Sequence, residues 1–205
     1  MIISCISDTQ SSPSSTVKYL GAFKNILDKS DMIVHLGDGI SNAEKYLSSN
    51  QNKVFICGNH DIKNKGYIKS YNIKISNRNI LFIHGERDNK ILEQIDIWKN
   101  KLKYKLGGKA DLSNYYRWLS STYNQFDLVV YGHIHVPKIE KISQTYYFCP
   151  GGFADEQFSF GSEVSMGTIE IGNTPNLLQI DIWGYNRSTS KIHLSAHEDI
   201  IWQTN

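Results

Sequence analysis

The chain has 205 residues, 40% of them hydrophobic and 20% charged, with a formal net charge of +2. That length accommodates one domain with a sizeable core, and the balance is that of an ordinary globular protein. A net charge this small gives no whole-protein field for nucleic acid or a membrane, and no apolar run approaches the roughly 20 residues that span a bilayer.

Taken in chain order, the first half alternates strand and helix. Met1–Ser7 reads as a strand, with no basic n-region and no small-residue cleavage site to suggest a signal peptide. Ser15–Lys29 carries Val17, Leu20, Phe23 and Leu27 at helical spacing, behind Pro13 and a serine cluster that start a helix. Met32–Leu36 is a buried strand, Asn42–Ser49 a short helix, Lys53–Cys57 a third strand and Asn79–Ile83 a fourth. This order predicts βαβ units and a sheet that is parallel at least in part. Residues 88–124 predict two helices, one with the stripe Ile91, Ile95, Trp98 and Leu102, the other with Leu112, Tyr116, Leu119 and Tyr123. The aromatic residues of the second stripe are expected in the core. Gly107 and Gly108 break between the helices. The lysines along the first of them, Lys99 to Lys109, read as a solvated face. Arg117 and Trp118 lie off the stripe and are candidates to stack on a nucleobase. Asp127–Tyr131 is another buried strand. Lys138–Ser143, Thr145–Phe148, Val164–Ile171 and Leu177–Trp183 then predict an antiparallel sheet packed on the first, with an edge strand in the tail after Gly184. We expect one domain over 1–205.

Metal-ligand chemistry collects at the ends of five of these strands: Asp8 and Gln10 in Ser-Asp-Thr-Gln, Asp38 in Gly-Asp, Asn59 to Asp61 in Gly-Asn-His-Asp, His84, and His133 and His135 in Gly-His-Ile-His. Ligands of parallel sheets sit at the carboxyl ends of strands, where these clusters fall. Asp, Asn and His together mix hard oxygen with borderline nitrogen, which suits Mn²⁺, Fe²⁺ or Zn²⁺ better than an all-oxygen Ca²⁺ or Mg²⁺ site. Two such ions can clamp the attacking and leaving oxygens of an in-line displacement. Asp38, on the middle strand of the first three, is the best placed to bridge them. Two divalent ions against two carboxylates leave positive charge for an anionic ester. Any one cluster alone has a plain reading as a turn or a capped loop; the ordered set does not. His35 reads as a core histidine or a support for the ligands. Asp61 either orients His60 or caps its turn. Cys5, Cys57 and Cys149 are odd in number and lie at or near strand ends. They read as reduced core residues of a cytoplasmic enzyme, with a redox-sensitive thiol as the alternative beside the site.

On these motifs the chain resembles the calcineurin-like metallophosphoesterase superfamily, in its small bacterial and archaeal phosphodiesterase branch. The resemblance runs from Met1 to about Ile171 and matches 88–124 only loosely, as a helical insertion. It implies a four-layer αββα sandwich of two mixed sheets flanked by helices. It also implies a dinuclear site: Asp8, Gln10 and His135 on one ion, Asn59, His84 and His133 on the other, and Asp38 between them. Mn²⁺ comes first, with Fe²⁺, Ni²⁺ or Zn²⁺ as alternatives. His60 would stand outside the metals as general acid, with hydroxide as nucleophile and a phosphodiester as substrate. A phosphomonoesterase or nucleotide pyrophosphatase is the alternative. Substrates would be small phosphate esters or nucleotides, with nucleic acid only weakly supported and a homo-oligomer left open. Three positions depart from the pattern. Gln10 replaces the usual His, a harder donor that should weaken zinc-like metals more than Mn²⁺. Glu86 stands where a second His is frequent, and Cys149-Pro150-Gly151 where Asn-Pro-Gly is common. The non-catalytic scaffold built on this fold lacks the catalytic histidine, and His60 argues against that reading here.

Overall fold

The computed structural model describes residues 1–47, 52–61, 66–75, 77–153, 163–172 and 177–202. Strand β1 is Ile2–Ile6, β2 Met32–His35, β3 Asn52–Phe55, β4 Ser70–Ile75, β5 Arg78–Ile83 and β6 Leu128–Tyr131. They are followed by β7 Lys138–Ile142, β8 Thr145–Cys149, β9 Val164–Ile171, β10 Leu177–Asn186 and β11 Lys191–Ile201. The helices are α1 Pro13–Ala22, α2 Lys24–Leu27, α3 Ile40–Ala43, α4 Lys90–Lys105 and α5 Ser113–Tyr123, with a 3₁₀ turn at Glu44–Tyr46. No described helix is long and apolar enough to cross a membrane.

Two mixed sheets form. One has six strands in the order β11-β10-β9-β1-β2-β3, the other five in the order β4-β5-β6-β8-β7. Strands β1, β2 and β3 run parallel, as do β5, β6 and β8. The remaining strands extend each parallel core antiparallel. The period-2 alternation of strand side chains sorts the interior into layers. Ile3, Cys5, Val34 and Leu36 of one sheet meet Ile80, Phe82, Leu128, Val130 and Phe148 of the other in the central core. Ile6 and Ile33, on the opposite face, pack on Tyr19, Leu20, Phe23 and Leu27 of the first two helices. Leu81, Ile83, Val129 and Tyr131 pack on Tyr115, Tyr116 and Leu119 of α5. This is the expected αββα sandwich.

Local chemistry explains the helix ends. Ser12 caps α1 through Ser15 N–H (3.2 Å), with Pro13 in the first turn. Asn89 caps α4 through Leu92 N–H (3.2 Å). At its other end Gly108 N–H reaches Lys103 O and Gly107 N–H reaches Tyr104 O (both 2.9 Å), a Schellman closure with Gly107 at φ +80°.

Several expectations need correction. The helix expected over 15–29 breaks at Phe23 into α1 and α2. The short helix starts at Ile40 rather than Asn42, and the end expected at 48–49 lies outside the described residues. Strand β4 was not foreseen, because its polar, alternating Ser-Tyr-Asn-Ile-Lys-Ile belongs to an edge. The second half is not a separate antiparallel sheet: β9, β10 and β11 join the first sheet, while β6 and β8 run parallel to β5. The α4 stripe, whose burial periodicity alone does not decide, lies outside the core, with Trp98 65% exposed. What α4 buries is Glu93 and Asn100.

Candidate metal centre

The carboxyl ends of β1, β2, β3, β5 and β6 meet at one rim, and every loop there is tied to its neighbour. Asp8 N–H donates to Gly37 O (2.9 Å), Thr9 N–H to Asp38 O (2.8 Å) and Gly132 N–H to His84 O (2.9 Å). Gly37, at φ +105°, lets the β2 loop pass the β3 loop: a Cβ there would lie 2.7 Å from both Gly58 N and His84 Nδ1. Asp61 accepts four backbone N–H groups, those of Asp38 (2.7 Å), Gly39 (2.9 Å), Ile40 (3.1 Å) and Gly58 (3.0 Å). Through both oxygens it caps and joins two loops. These bonds support the capping reading of Asp61.

His35 completes this frame from below. Its Nδ1 accepts from Gly37 N–H (3.1 Å), so Nε2 keeps the proton and donates to Thr9 Oγ1 (2.8 Å), which donates to Gly39 O (2.7 Å). Burial pulls the His35 pKa down to about 4, which keeps the ring neutral as this chain of bonds requires.

Six of the seven expected ligands come together. Asp8, Asp38 and His84 are buried, with one donor atom from each inside a 4.8 Å cluster. His135 Nε2 lies 2.9 Å from Asp8 Oδ1, and His133 N–H donates to Asp8 Oδ2 (3.0 Å). His84 Nε2 lies 3.1 Å from Asn59 Oδ1, 3.3 Å from His133 Nδ1 and 3.5 Å from Asp38 Oδ2. Gln10 is exposed and faces the same cavity, but makes no hydrogen bond to the cluster. His60 has a side chain 65% exposed, with Nε2 4.0 Å from Asp38 Oδ2, and its N–H donates to Asp38 Oδ1 (2.8 Å).

The proton count shows what belongs in the middle. His84 Nδ1 donates to Leu36 O (2.7 Å), so when the ring is neutral its Nε2 presents a lone pair. His133 Nε2 donates to the Glu93 carboxylate (2.6 Å), so its Nδ1 presents another. These two lone pairs face each other, with Asp38 and Asn59 oxygens beside them. Donor atoms facing donor atoms call for a cation. The spacing fits one, since ligands on bonds of about 2.1 Å stand about 3.0–3.4 Å apart. His135 Nδ1, buried and without a hydrogen-bond partner among the described residues, is a further atom that protein contacts leave unsatisfied.

Electrostatics agree. Burial alone would lower the His84 pKa, but the hydrogen bond to Asp38 and the charges of Asp8 and Asp38 outweigh it and raise it to about 9. Burial would raise Asp8, but His135, His84 and Ser7 Oγ (2.5 Å) hold it well below the usual carboxylate range. Burial likewise opposes a lowered Asp38, and His84 prevails. The pocket is short of positive charge, and without a metal it recruits it as protons. The backbone is also bent to serve it. Asp8, Asp38, His133 and His135 all have positive φ, at 54°, 60°, 68° and 54°, and only two other described non-glycine residues do. Left-handed backbone costs about 1–2 kcal/mol per residue, so the ligand positions are held against local preference.

Glu93 is the residue the sequence reading missed. It is buried on the inner face of α4, where Oε1 also accepts from Arg87 N–H (3.2 Å), and it fixes the tautomer and aim of His133. Its one signal was an acidic residue in the first turn of a helix whose stripe did not need it. Arg87 pairs with Asp96 (2.8 Å) and lies over the Tyr115 ring at 5.3 Å. Between the ligands and α4 lies a cavity of about 480 Å³, with Asp38, His60 and His133 at one side and Ile97, Leu112 and Tyr115 at the other. Trp118 does not line it. Its ring packs on Tyr115 (5.5 Å) and Tyr123 (6.0 Å), so the nucleobase platform is not formed there. All three cysteines are free and buried, and burial raises each thiol, which argues against a reactive Cys57 or Cys149.

The calcineurin-like phosphoesterase superfamily domain model matches residues 1–174, and the chain belongs to that family. No curated protein sequence matches it. Solved structures with the same fold include Yfce, a phosphoesterase from E. coli, at 16% identity and TM-score 0.61, covering 98% of this chain and 100% of that one. A novel archaeal phosphodiesterase aligns at 16% identity and TM-score 0.51, again covering 98% and 100%. Wild-type Vps29 complexed with Zn²⁺, from Entamoeba histolytica, aligns at 15% and TM-score 0.62, covering 97% and 99%.

Proposed function

We propose that the protein is a metal-dependent phosphodiesterase using two divalent ions. The facing lone pairs of His84 and His133, beside Asp38, carry this reading. Asp8 and His135 would hold one ion, with Gln10 within the same cavity, and Asn59, His84 and His133 the other, with Asp38 shared. The ions, when bound, supply a water made nucleophilic near neutral pH and positive charge for the phosphoryl oxygens. Mn²⁺ is favoured, because Gln10 offers oxygen where relatives offer imidazole.

The chain's own residues complete the reaction. Asp38 is pinned by His60 N–H and by the Asp61 bridge between loops, so the shared oxygens stay in place. His60 is exposed at the cavity wall, free to reach an ester oxygen and protonate it as it leaves. The cavity continues past the ligands over Ile97, Leu112 and Tyr115, giving room for the second substituent that distinguishes a diester from a monoester.

Because a Vps29 of this fold holds zinc, metal binding alone does not separate enzyme from scaffold, and the test must read turnover. The Mn²⁺-loaded protein is expected to hydrolyse a bis-aryl phosphodiester faster than the matching monoester or a nucleotide pyrophosphate. Chelation should abolish the activity, and His60→Ala should lower it about 10²–10⁴-fold. Full activity of His60→Ala, or turnover indifferent to chelation, would sink the mechanism.

A further inference from the structure

The apolar band on the outward side of α4 is left uncovered by the described residues, and its composition says what it fits. Ile91 is 75% exposed, Leu92 54%, Ile95 42%, Trp98 65% and Leu102 46%. With about 100° between successive residues, Ile91, Ile95, Trp98 and Leu102 share one band diametrically opposite Glu93 and Asn100. Lys99 and Lys103 flank that band on one side, and Lys90 and Lys105 on the other. The helix has two acidic residues, Glu93 and Asp96. Both turn inward, to His133 and Arg87. The outward side of the helix is therefore an apolar ridge between two rows of lysines, about 24 Å long, with no acidic residue of α4 in it; an acid from another segment, Asp111, stands beside Lys103 at one end.

We propose that α4 is an interfacial helix that docks this face of the protein on an anionic lipid surface. Such a helix sinks its apolar face to the headgroup boundary while lysines reach out to lipid phosphates. Trp98 sits mid-ridge, a residue type favoured at that boundary. The chain's net charge of +2 hides this, because the relevant charge is local. A second copy of the chain fits less well: two such ridges would set lysine rows against lysine rows, with no acid of α4 between them. The inference goes beyond the phosphodiesterase reading and does not rest on it.

The test is co-sedimentation of the full chain with vesicles of phosphatidylcholine alone or mixed with phosphatidylglycerol. Binding is expected only with phosphatidylglycerol, and is expected to weaken in high salt. Trp98→Ser should reduce it about tenfold or more. Lys99→Gln with Lys103→Gln should reduce it about 20- to 30-fold, at about fivefold per lysine. These positions are solvent-facing, and circular dichroism should show both variants folded. The proposal is overturned if phosphatidylglycerol vesicles leave the protein in the supernatant, if neutral vesicles bind equally, or if both variants bind like the parent. A dimer in sedimentation equilibrium that Trp98→Ser dissociates would also overturn it, assigning the ridge to a second copy. So would binding to polyglutamate without binding to vesicles, which would assign it to an acidic protein.

Discussion

Replacing Gly58 by Ala tests whether the loop frame sets the position of the Asp38 carboxylate. Gly58 has no positive φ to preserve, so the effect of a methyl there is steric. Its Cβ would lie 2.5 Å from Asp38 N and 2.8 Å from Asp38 Cγ, and closer still to Oδ1. Neither loop can simply retreat, because Asp61 Oδ2 accepts from both Gly58 N–H and Asp38 N–H. Overpacking of this kind costs about 1–3 kcal/mol, and one strained hydrogen bond adds about 1 kcal/mol. For a chain of this size that total lowers Tm by about 5–15 °C. The Asp38 carboxylate must swing away from His84, so metal affinity should fall tenfold or more. Thermal melts with chelator measure the first effect, and calorimetric titration with Mn²⁺ the second. A Gly58→Ala protein with parental Tm and parental affinity would refute the claim that these loops hold Asp38 in place.

Three further outcomes are expected. Glu93→Gln should weaken Mn²⁺ binding about 10- to 100-fold while the melt is nearly unchanged; equal affinity in titration would remove Glu93 from the support of His133. Asp38→Asn should abolish metal binding and also lower the melt of the metal-free protein by a few degrees near neutral pH. The carboxylate that His84 holds below its usual range is a net stabilising charge, only partly offset by relief of the repulsion from Asp8 and by the better tolerance of Asn for φ +60°, and an unchanged or raised melt in chelator would contradict this. The metal-free protein should also lose stability as pH rises from 6.5 towards 9. His84 has its folded pKa raised to about 9, so its contribution is complete below its unfolded value of about 6.5 and is lost as pH climbs through the folded one. His135 is raised as well and acts in the same direction. Metal should reverse the trend, since it replaces those protons, and melts at the two pH values with and without Mn²⁺ decide it.

Much of the fold was legible because the signals were local. A short apolar run followed by Gly-Asp or Gly-Asn-His marks a strand end without reference to any other part of the chain. The motif order then placed six donors that the structure gathers: Asp8, Asp38, Asn59, His84, His133 and His135. Strand partners were not legible, because β9 and β1 pair across more than 160 residues and nothing in Val164–Ile171 names Ile2–Ile6 as its neighbour. Which way the α4 stripe faces was not legible for a related reason. Periodicity shows that one face is apolar, but not that the polar face is the one turned inward. Here Glu93 had a histidine to meet, and that pairing holds the helix with its apolar side out. Asp61 was legible as a residue of interest, but its role needed the four amides that converge on it.

The left-handed backbone at Asp8, Asp38, His133 and His135 bears on how this family drifts. Substituting an amide or a glycine at such a position relaxes the chain while it removes the ligand. Relief of the backbone then offsets part of the folding cost of losing the ligand's hydrogen bonds and charge pairing, and the sandwich keeps its surface. A descendant that abandoned hydrolysis would remain a sound scaffold, available for selection on whatever its outer faces touch. Recovery is the harder direction, because each restored ligand must again be held in a conformation its own backbone resists.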